Sequence, residues 1–457
     1  MAVVIAAPAS GSGKTLLSLV LLAWARSRGH TIQPFKVGPD YLDPQLLGAT
    51  AARSCRNLDL NLCGETWVKR AFHGYARDAE LVLVEGVMGL FDGIGCSQDG
   101  STAAVAHQLN LPVVLVVDAS GQAASLAAVV KGFRDHDPRL QFAGVVLNRV
   151  SSERHRELLS EVLASIDMPL LGCLPRHPEL DLPSRHLGLA PAHELQRQEL
   201  RRQHWAVLAE QHLDLQRLHA LMTAPAAGDD PLSAIDPSRS KELPVAVAAD
   251  EAFHFRYPET EELLQHLGMP VLRWSPLADE PLPREARGLM IPGGFPEQHA
   301  ARLSSCRRSL NDLKIWAGRR PIYAECGGML MLGQSLTDLD GQQHPMAGLL
   351  PFEARRGPLQ VGYRQLTPRQ DGLLVRHGEP LQGHEFHRWA LQHHRDQAGA
   401  SVLWDVTGWQ RPREAEGWSG QALHASWVHL HWASSPAICT RWKTALTAGS
   451  RETGKGV

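Results

Sequence analysis

The first half of the chain alternates short, continuous apolar runs with longer amphipathic segments. The runs are rich in β-branched residues and end beside Gly, Asp or Asn, as strands buried on both faces of a parallel sheet do. Because helical periodicity fills the segments between them, the repeated unit is a strand, a helix and a second parallel strand. The pattern predicts strands at residues 3–7, 81–84, 113–117 and 145–147.

The second half repeats this pattern after an interruption. Residues 222–243 are polar, rich in Pro and without periodicity, which favours a linker. Strand-like runs resume at residues 245–248, 288–291 and 321–324. The sequence therefore predicts two α/β domains, at residues 1–221 and 244–446, joined by that linker.

Composition narrows the function to small-molecule chemistry. Of the 457 residues, 44% are hydrophobic and 21% are charged, and the formal net charge of -2 gives no reason to expect nucleic acid or an anionic membrane as a partner. The apolar run at residues 16–25 is too short to span a membrane and no basic stretch precedes it, so we expect a cytoplasmic location. The seven cysteines form no CxxC pair and are odd in number, which argues against a zinc knuckle or a disulfide framework.

A phosphate-binding loop follows the first predicted strand. Residues 8–15 read Pro-Ala-Ser-Gly-Ser-Gly-Lys-Thr and precede an apolar helical stretch, with Pro8 at the position where the general motif has its first Gly. In such a loop, backbone N–H groups and the helix N-terminus face phosphate oxygens, Lys14 offsets their charge and Thr15 can bind Mg²⁺. The candidate nucleotide contacts in this loop are Ser10, Gly11, Gly13, Lys14 and Thr15.

A nucleotide that carries Mg²⁺ also requires carboxylates, and two places in the sequence supply them. The loop at residues 36–44 holds Lys36, Asp40 and Asp43, and Glu85 follows the second predicted strand. A single acid on a loop is more often solvated than functional. Because parallel strands end at one edge of a sheet, we expect Asp40, Asp43 and Glu85 beside the phosphate loop, as metal ligands.

The second half carries the parts of a thiol-dependent amide hydrolase. Cys326 lies between an apolar run and a helical stretch and is flanked by small residues, a pattern typical of a nucleophile elbow that exposes the sulfur and favours the thiolate. A Gly pair after another strand can present backbone N–H groups to an oxyanion, and either His429 or His431 can serve as the base. Each feature alone is more often structural, but the three together in one α/β domain predict amide hydrolysis. The candidate oxyanion and glutamine pocket comprises Gly293, Gly294 and Gly327.

Taken together, these segments resemble the family of cobyrinic acid a,c-diamide synthases. The segments that carry the likeness run from residue 7 to residue 431 and read Ala-Pro-Ala-Ser-Gly-Ser-Gly-Lys-Thr, Lys-Val-Gly-Pro-Asp-Tyr-Leu-Asp-Pro, Val-Glu-Gly-Val-Met-Gly-Leu-Phe-Asp-Gly, Asp-Glu-Ala-Phe, Ala-Glu-Cys-Gly-Gly and Val-His-Leu-His. The resemblance implies an α/β fold in two parts. The N-terminal domain would be P-loop NTPase-like, similar to dethiobiotin synthetase, with a mostly parallel sheet. The C-terminal domain would be a class I-type glutamine amidotransferase.

The resemblance also implies a role for each site residue. ATP and its Mg²⁺ would be contacted by Lys14, Thr15 and Lys36. The metal and the substrate would be served by Asp40, Asp43 and Glu85, and Asn148 would lie near the adenine. In the second domain, Cys326 would be the nucleophile and His429 its base. Ordinary class I amidotransferases have a Glu two residues after that His, where this chain has His431. We therefore expect a dyad of Cys326 and His429 without a third member, and whether His431 shares the role of His429 is left open.

The activity that the resemblance implies is that of an ATP-dependent ligase in cobalamin biosynthesis. It would amidate the a and c carboxylates of cobyrinate through an acyl phosphate, with ammonia taken from glutamine along a protected passage or supplied free. Hydrogenobyrinate and Ni-sirohydrochlorin are alternative substrates, and a homodimer is an alternative to a monomer. A P-loop ATPase switch with a non-catalytic second domain is a remote alternative, because it has no use for Cys326 and His429.

Overall fold

The computed structural model describes residues 2–177, 184–185, 188–189, 198–237, 242–393 and 401–452. The chain divides into two compact units, Met1–Pro231 and Leu232–Val457. Among the described helices, none combines the length and the apolar composition that crossing a membrane requires.

The first unit is built on a seven-stranded sheet. Its strands are β1 (Val3–Ala6), β2 (Ile32–Val37), β3 (Arg56–Leu58), β4 (Leu81–Glu85), β5 (Val113–Asp118), β6 (Phe142–Val150) and β7 (Leu170–Pro175), followed by a separate ladder of β8 (Ser184–Arg185) and β9 (Gly188–Leu189). Its helices are α1 (Lys14–Ser27), α2 (Leu42–Ala51), α3 (Leu60–Ala76), α4 (Thr102–Gln108), α5 (Ser125–His136), α6 (Glu153–Ala164), α7 (Gln198–His212) and α8 (Leu215–Leu221). A 3₁₀ turn at Pro231–Ala234 includes the boundary between the two units. The four strands predicted in this half are β1, β4, β5 and β6.

All seven strands of that sheet run parallel, in the order β3-β2-β4-β1-β5-β6-β7. Alternate residues of β1 enter different hydrophobic clusters, Val3 and Ile5 on the face covered by α1 and Val4 and Ala6 on the other. The sheet is therefore buried on both faces, which explains why its central strands read as continuous apolar runs. The carboxyl ends of β2, β4 and β1 come to lie side by side.

The passage after α8 packs on the first unit. The backbone N–H of Val82 donates to Met222 O at 2.7 Å, and Ala224 N–H donates to Glu80 O at 2.9 Å. Gly228 N–H donates to the carbonyl of His73 at 3.1 Å. These bonds attach the start of the segment predicted as a linker to β4 and α3.

The second unit contains an eleven-stranded mixed sheet. Its strands are β10 (Val245–Ala248), β11 (Val271–Trp274), β12 (Gly288–Ile291), β13 (Ile322–Glu325), β14 (Ser335–Thr337), β15 (Gln343–Pro345), β16 (Phe352–Pro368), β17 (Leu381–His393), β18 (Ser401–Gly408), β19 (Arg411–Gly420) and β20 (Leu423–Ser426). Its helices are α9 (Pro258–His266), α10 (Ala300–Ser305), α11 (Arg307–Trp316), α12 (Gly327–Leu330) and α13 (Pro436–Glu452), with 3₁₀ turns at Pro276–Ala278 and Pro296–His299.

A parallel half and a largely antiparallel half make up this sheet. The strands β11, β10, β12, β13 and β20 are neighbours in that order and run parallel. The three strands predicted in this half are β10, β12 and β13. Antiparallel pairing takes over from β20 to β19 and continues through β18, β16 and β17. The α/β class predicted for both halves is confirmed, whereas the antiparallel extension was not predicted.

Candidate active sites in the two units

The loop between β1 and α1 has the backbone of a phosphate-binding loop. Gly11 and Gly13 have φ values of 80° and 113°, a region that side chains disfavour, so these positions require Gly. Lys14 Nζ donates to Met88 O at 2.5 Å and to Ala9 O at 3.4 Å, so the lysine connects the phosphate loop to the segment that follows β4. Burial, followed by the charge of a neighbouring lysine, lowers the pKa of Lys14 to about 8.

Behind the loop lies a buried set of opposite charges at the carboxyl ends of β2 and β4. Thr15 Oγ1 donates to Glu85 Oε1 at 3.0 Å, and Lys36 Nζ lies 3.0 Å from the same oxygen. Lys36 Nζ also lies 2.9 Å from Asp43 Oδ2. Burial alone would lower the pKa of Lys36, but the charges of Asp43 and Glu85 outweigh it and raise the pKa above its ordinary value. Burial raises the pKa of Glu85, although Lys36 opposes the shift.

Asp40 shares this environment. Its Oδ1 accepts from the backbone N–H of Leu42 at 2.9 Å. Burial, reinforced by the charge of Asp43, raises the pKa of Asp40 to about 7. Asp43 shifts the other way: burial would raise its pKa, but the charge of Lys36 and the hydrogen bonds with Asp40 and Lys36 together outweigh burial and lower the pKa. Of the two loop acids, Asp43 therefore carries the firmer negative charge.

The fit of Mg²⁺ to these residues depends on Thr15 and Glu85. Among the described residues, no group of three or more His, Cys, Asp or Glu side chains is arranged to hold a metal ion. Glu85 Oε2, however, is buried and accepts no hydrogen bond from the described residues, and the Thr15 hydroxyl is bonded to the same carboxylate. Because Mg²⁺ at nucleotide sites takes most of its ligands from phosphates and water, one carboxylate and one hydroxyl suit it.

Asn148, at the end of β6, contacts the phosphate loop. Its Nδ2 donates to Ser12 O at 3.0 Å, and its Oδ1 accepts from Arg149 N–H at 3.0 Å. A Cβ on Gly13 would overlap Asn148 Nδ2, so the amide packs directly on the loop backbone. Proximity of Asn148 to the adenine stays a prediction. The other two predicted loop residues, Ser10 and Gly11, are exposed at its tip.

In the second unit, Cys326 occupies a sharp turn between β13 and α12. Its φ of 48° and ψ of -118° lie outside the regions that most side chains adopt. The backbone N–H of Cys326 donates to Ser426 O at 2.7 Å, which ties the turn to β20. This is the strand–turn–helix arrangement of a nucleophile elbow, although the helix that follows has only one turn.

The predicted oxyanion loop closes around Cys326. A Cβ placed on Gly293 would lie 2.5 Å from His429 Cε1, 3.4 Å from His429 Nε2 and 3.4 Å from Cys326 Cβ. The structure thus brings the predicted nucleophile, the predicted base and the Gly pair together around the space in front of Gly293. A Cβ on Gly294 would overlap the carbonyl of Ala252, and one on Gly327 would lie 2.7 Å from Gly294 O.

A carboxylate contacts His429, contrary to the expected dyad without a third member. Glu325 Oε1 lies 3.1 Å from His429 Nδ1, so the expectation is wrong on this point. The acid comes from the end of β13, directly before Cys326, and not from the position two residues after His429. Burial would lower the pKa of His429, but the charges of Cys326 and Glu325 outweigh it and raise the pKa to about 10. A Glu at the end of an apolar strand was the only sequence signal for this contact.

His431 makes different contacts from His429. Its Nδ1 lies 3.1 Å from Ser434 Oγ, and its ring centroid lies 5.0 Å from that of Tyr257. Burial lowers the pKa of His431 to about 3, so this ring stays neutral where His429 is charged. These contacts favour His429 over His431 as the partner of Cys326.

The segment 383–387, to which we assign no ligand role, supports the same site through its backbone. The N–H of His384 donates to His429 O at 3.1 Å, and His429 N–H donates to His384 O at 2.8 Å. Phe386 O lies 3.6 Å from Cys326 Sγ. On the other face of β17, Glu385 pairs with Arg364 at 2.6 Å and with His387 at 2.8 Å, and also with Arg411.

Comparisons with known proteins assign a domain type to each half of the chain. A family model for the CobQ/CobB/MinD/ParA nucleotide binding domain matches residues 3–189, and one for the CobB/CobQ-like glutamine amidotransferase domain matches residues 244–437. The chain is 44% identical to cobyrinate a,c-diamide synthase of Gloeobacter violaceus, over 97% of this chain and 96% of that protein. Its identity to the cobyrinate a,c-diamide synthase of a Synechococcus species is 41%, over 95% and 96% of the two chains. Its identity to hydrogenobyrinate a,c-diamide synthase of Mycobacterium tuberculosis is 40%, over 96% and 97%. The chain therefore belongs to the cobyrinate and hydrogenobyrinate a,c-diamide synthase family, whose members combine a nucleotide-binding domain with a glutamine amidotransferase domain.

Proposed function

We propose that this protein is the ligase that converts the a and c carboxylates of cobyrinate to amides in cobalamin biosynthesis, with glutamine as nitrogen donor and ATP as co-substrate. The family supports the reaction type. The observation that carries the proposal is the convergence of Cys326, His429 and Gly293 on one space, since a nucleotide switch has no use for it.

In the glutaminase reaction, the Cys326 thiolate attacks the side-chain amide carbon of glutamine. Backbone N–H groups around Gly293 and Gly294 stabilise the oxyanion, and His429 gives its proton to the leaving ammonia. Water then cleaves the thioester, which releases glutamate and restores the thiolate. The raised pKa of His429 supports this assignment, because the ring holds a proton to give at neutral pH.

In the synthetase reaction, a substrate carboxylate oxygen attacks the γ-phosphorus of ATP and ADP leaves. Ammonia then attacks the acyl phosphate carbon and phosphate leaves, which forms the amide. Lys14 would turn from Met88 O to the phosphates, where it offsets the charge that develops during transfer. Thr15 and Glu85 would hold Mg²⁺, which supplies further charge compensation at the phosphates. Asp43, Asp40 and Lys36 would position the phosphates and the substrate.

A Cys326→Ser variant tests the two-site mechanism. We expect glutamine-driven amidation to disappear while ammonium-driven amidation survives, because free ammonia bypasses the glutaminase. Cys96→Ser, which removes an exposed thiol of the first unit, is the matched control and should keep both activities. Loss of both activities in Cys326→Ser would contradict independent sites, and survival of both would remove Cys326 as the nucleophile.

The corrinoid itself needs a separate measurement, because relatives named for cobyrinate and for hydrogenobyrinate are similarly close to this chain. Cobyrinate, hydrogenobyrinate and Ni-sirohydrochlorin can be offered in parallel with ATP, Mg²⁺ and glutamine, and the products followed by mass. Two successive amidations of cobyrinate, faster than of the other two, would support the proposal. Faster amidation of hydrogenobyrinate or Ni-sirohydrochlorin would instead identify that compound as the substrate of this protein. A cytoplasmic location and a homodimer stay predictions.

A further inference from the structure

Glu325 lies between two partners that use its two oxygens separately. Oε1 lies 3.1 Å from His429 Nδ1, and Oε2 accepts from the hydroxyl of Tyr323 at 2.5 Å. All three side chains are buried, with the Tyr323 and His429 residues only 2% and 1% exposed. A buried carboxylate with both oxygens engaged is held in one orientation, and it holds its partners in turn.

The strand geometry explains the arrangement. Tyr323 and Glu325 are two residues apart on β13, so their side chains lie on the same face of the sheet. Strand β20 runs parallel to β13 with Ser426 opposite Glu325, and the chain that leaves β20 brings His429 back to that acid three residues later. The turn that holds Cys326, a residue only 3% exposed, therefore begins at the residue that contacts His429.

We propose that Glu325 is the positioning residue of the glutaminase: it accepts the Nδ1 proton of His429 in a hydrogen bond and so directs Nε2 of the ring toward Cys326. Tyr323 is the outer member of this chain and fixes the carboxylate through its other oxygen. This inference rests on the proposed glutaminase role of Cys326 and His429. Glu325 would thus provide the carboxylate that ordinary class I amidotransferases place two residues after the His, where this chain has His431.

The other charged groups near Glu325 do not compete for it. Arg256 and Glu261 line a cavity of about 30 Å³ that borders Glu325 and Tyr323, and they pair with each other at 2.9 Å. Burial and the charge of Glu325 raise the pKa of Tyr323 well above its ordinary value, so its hydroxyl keeps the proton that it donates. Tyr257 also lines this cavity, and His431 beside it stays neutral. The negative charge of Glu325 therefore acts mainly on His429.

The test compares Glu325→Gln with Glu325→Asp. In serine hydrolases, neutralising the acid that orients the base lowers kcat about 10⁴-fold. For this site we expect Glu325→Gln to lower the glutamine-driven kcat by about 10²- to 10⁴-fold. The KM for glutamine should change little, and ammonium-driven amidation should be retained. Glu325→Asp should restore part of the loss. Tyr323→Phe should show a smaller loss, because the carboxylate stays. Glu353→Gln, a half-buried acid paired with Arg355, is the matched control and should keep both activities.

A pH profile separates positioning from a merely structural role. Removing the charge of Glu325 removes one of the two groups that raise the pKa of His429, so the alkaline limb of the glutamine-driven kcat/KM should move to lower pH in Glu325→Gln. Full activity in Glu325→Gln, an unmoved limb, or an equal loss of ammonium-driven turnover would each overturn the proposal. Cys326→Ser, assayed alongside, distinguishes the two failures: if it keeps glutamine-driven turnover, the glutaminase assignment itself fails.

Discussion

Replacing Gly293 by Ala should disable the glutaminase by displacing its base. A Cβ at this position would lie 2.5 Å from His429 Cε1, whereas carbon atoms in ordinary contact are separated by about 3.5–4.0 Å. The imidazole would therefore have to retreat by about 1 Å. The ring has little room to move, because His429 is buried and its Nδ1 lies 3.1 Å from Glu325 Oε1. In addition, the backbone N–H and the carbonyl of His429 both bond to His384.

The size of the effect follows from that displacement. A misplacement of about 1 Å at a catalytic group costs about 10²-fold in rate, which corresponds to about 2.7 kcal/mol in the activation free energy. We expect the glutamine-driven kcat/KM of Gly293→Ala to fall by about this factor. The Cβ would also lie 3.4 Å from Cys326 Cβ, a tight but tolerable distance, so the nucleophile itself should stay in place.

The assay follows glutamate release and corrinoid amidation with glutamine or with ammonium as the nitrogen source. Ammonium-driven amidation of Gly293→Ala should match the unmodified protein. Gly420→Ala is the matched control, since a Cβ there would meet Leu423 at an ordinary 3.6 Å, and it should keep both activities. Glutaminase activity within threefold of normal in Gly293→Ala would refute the placement of His429 as the base in front of Gly293.

Three further predictions concern the nucleotide site and the support of the sheet. Lys14→Met should lower glutamine-driven and ammonium-driven amidation alike, by about 10²-fold or more, because both use the same ATP step. The measurement is the rate of amide formation from each nitrogen source. Gly13→Ala should weaken ATP binding in a direct titration, because the added Cβ overlaps Asn148 and φ is 113°, whereas Gly132→Ala, with open space around it, should not. Burial would raise the pKa of Glu385, but the hydrogen bond with His387 and the positive charges of His387, Arg411 and Arg364 together lower it from 4.5 to about 2. Its contribution of about 3 kcal/mol to stability is therefore present above pH 4.5 and is lost as pH falls toward 2, so Glu385→Gln should lower the Tm more at pH 7 than at pH 3.

The strands that could be predicted from the sequence are those buried on both faces. β1 and β10 are fully buried and consist of apolar residues only, so their pattern indicates a parallel sheet without further information. β2 is equally buried but contains Gln33 and Lys36, so it has no continuous apolar run from which a strand could be predicted. Its polar residues are satisfied by contacts far along the chain: Gln33 donates to Ser54 O at 2.9 Å and Lys36 pairs with Glu85 at 3.0 Å.

The antiparallel strands escape prediction for a different reason. β16 is 17 residues long, yet buried and exposed positions follow no strict alternation along it, and its pairing with β17 shifts register between Arg356 and Gln360. The shift places two extra residues in β16, and none of its positions between Arg355 and Tyr363 is buried, so the period of two is interrupted in the middle of the strand. The local motifs around Lys14 and Cys326 could be predicted because each is complete within a few residues.

Glu325 shows where prediction from the sequence ends. Its contact with His429 spans 104 residues and depends on the pairing of β13 with β20, which no local pattern reveals. Both sites are assembled in the same way. In the first unit, Lys36, Glu85 and the phosphate loop come from β2, β4 and β1, which are neighbours in the sheet but not in the sequence.

In the second unit, Gly293, Cys326 and His429 follow β12, β13 and β20, again three adjacent parallel strands. The parallel half of that sheet therefore supplies every group proposed for the chemistry. The antiparallel half contributes support, because His384 on β17 bonds both backbone groups of His429. Since His429 lies beyond the end of β20, this pairing helps to hold its backbone in place. Substitutions that shift β17 should therefore impair the glutaminase by moving the base, even though no side chain of that strand is assigned a step in the reaction.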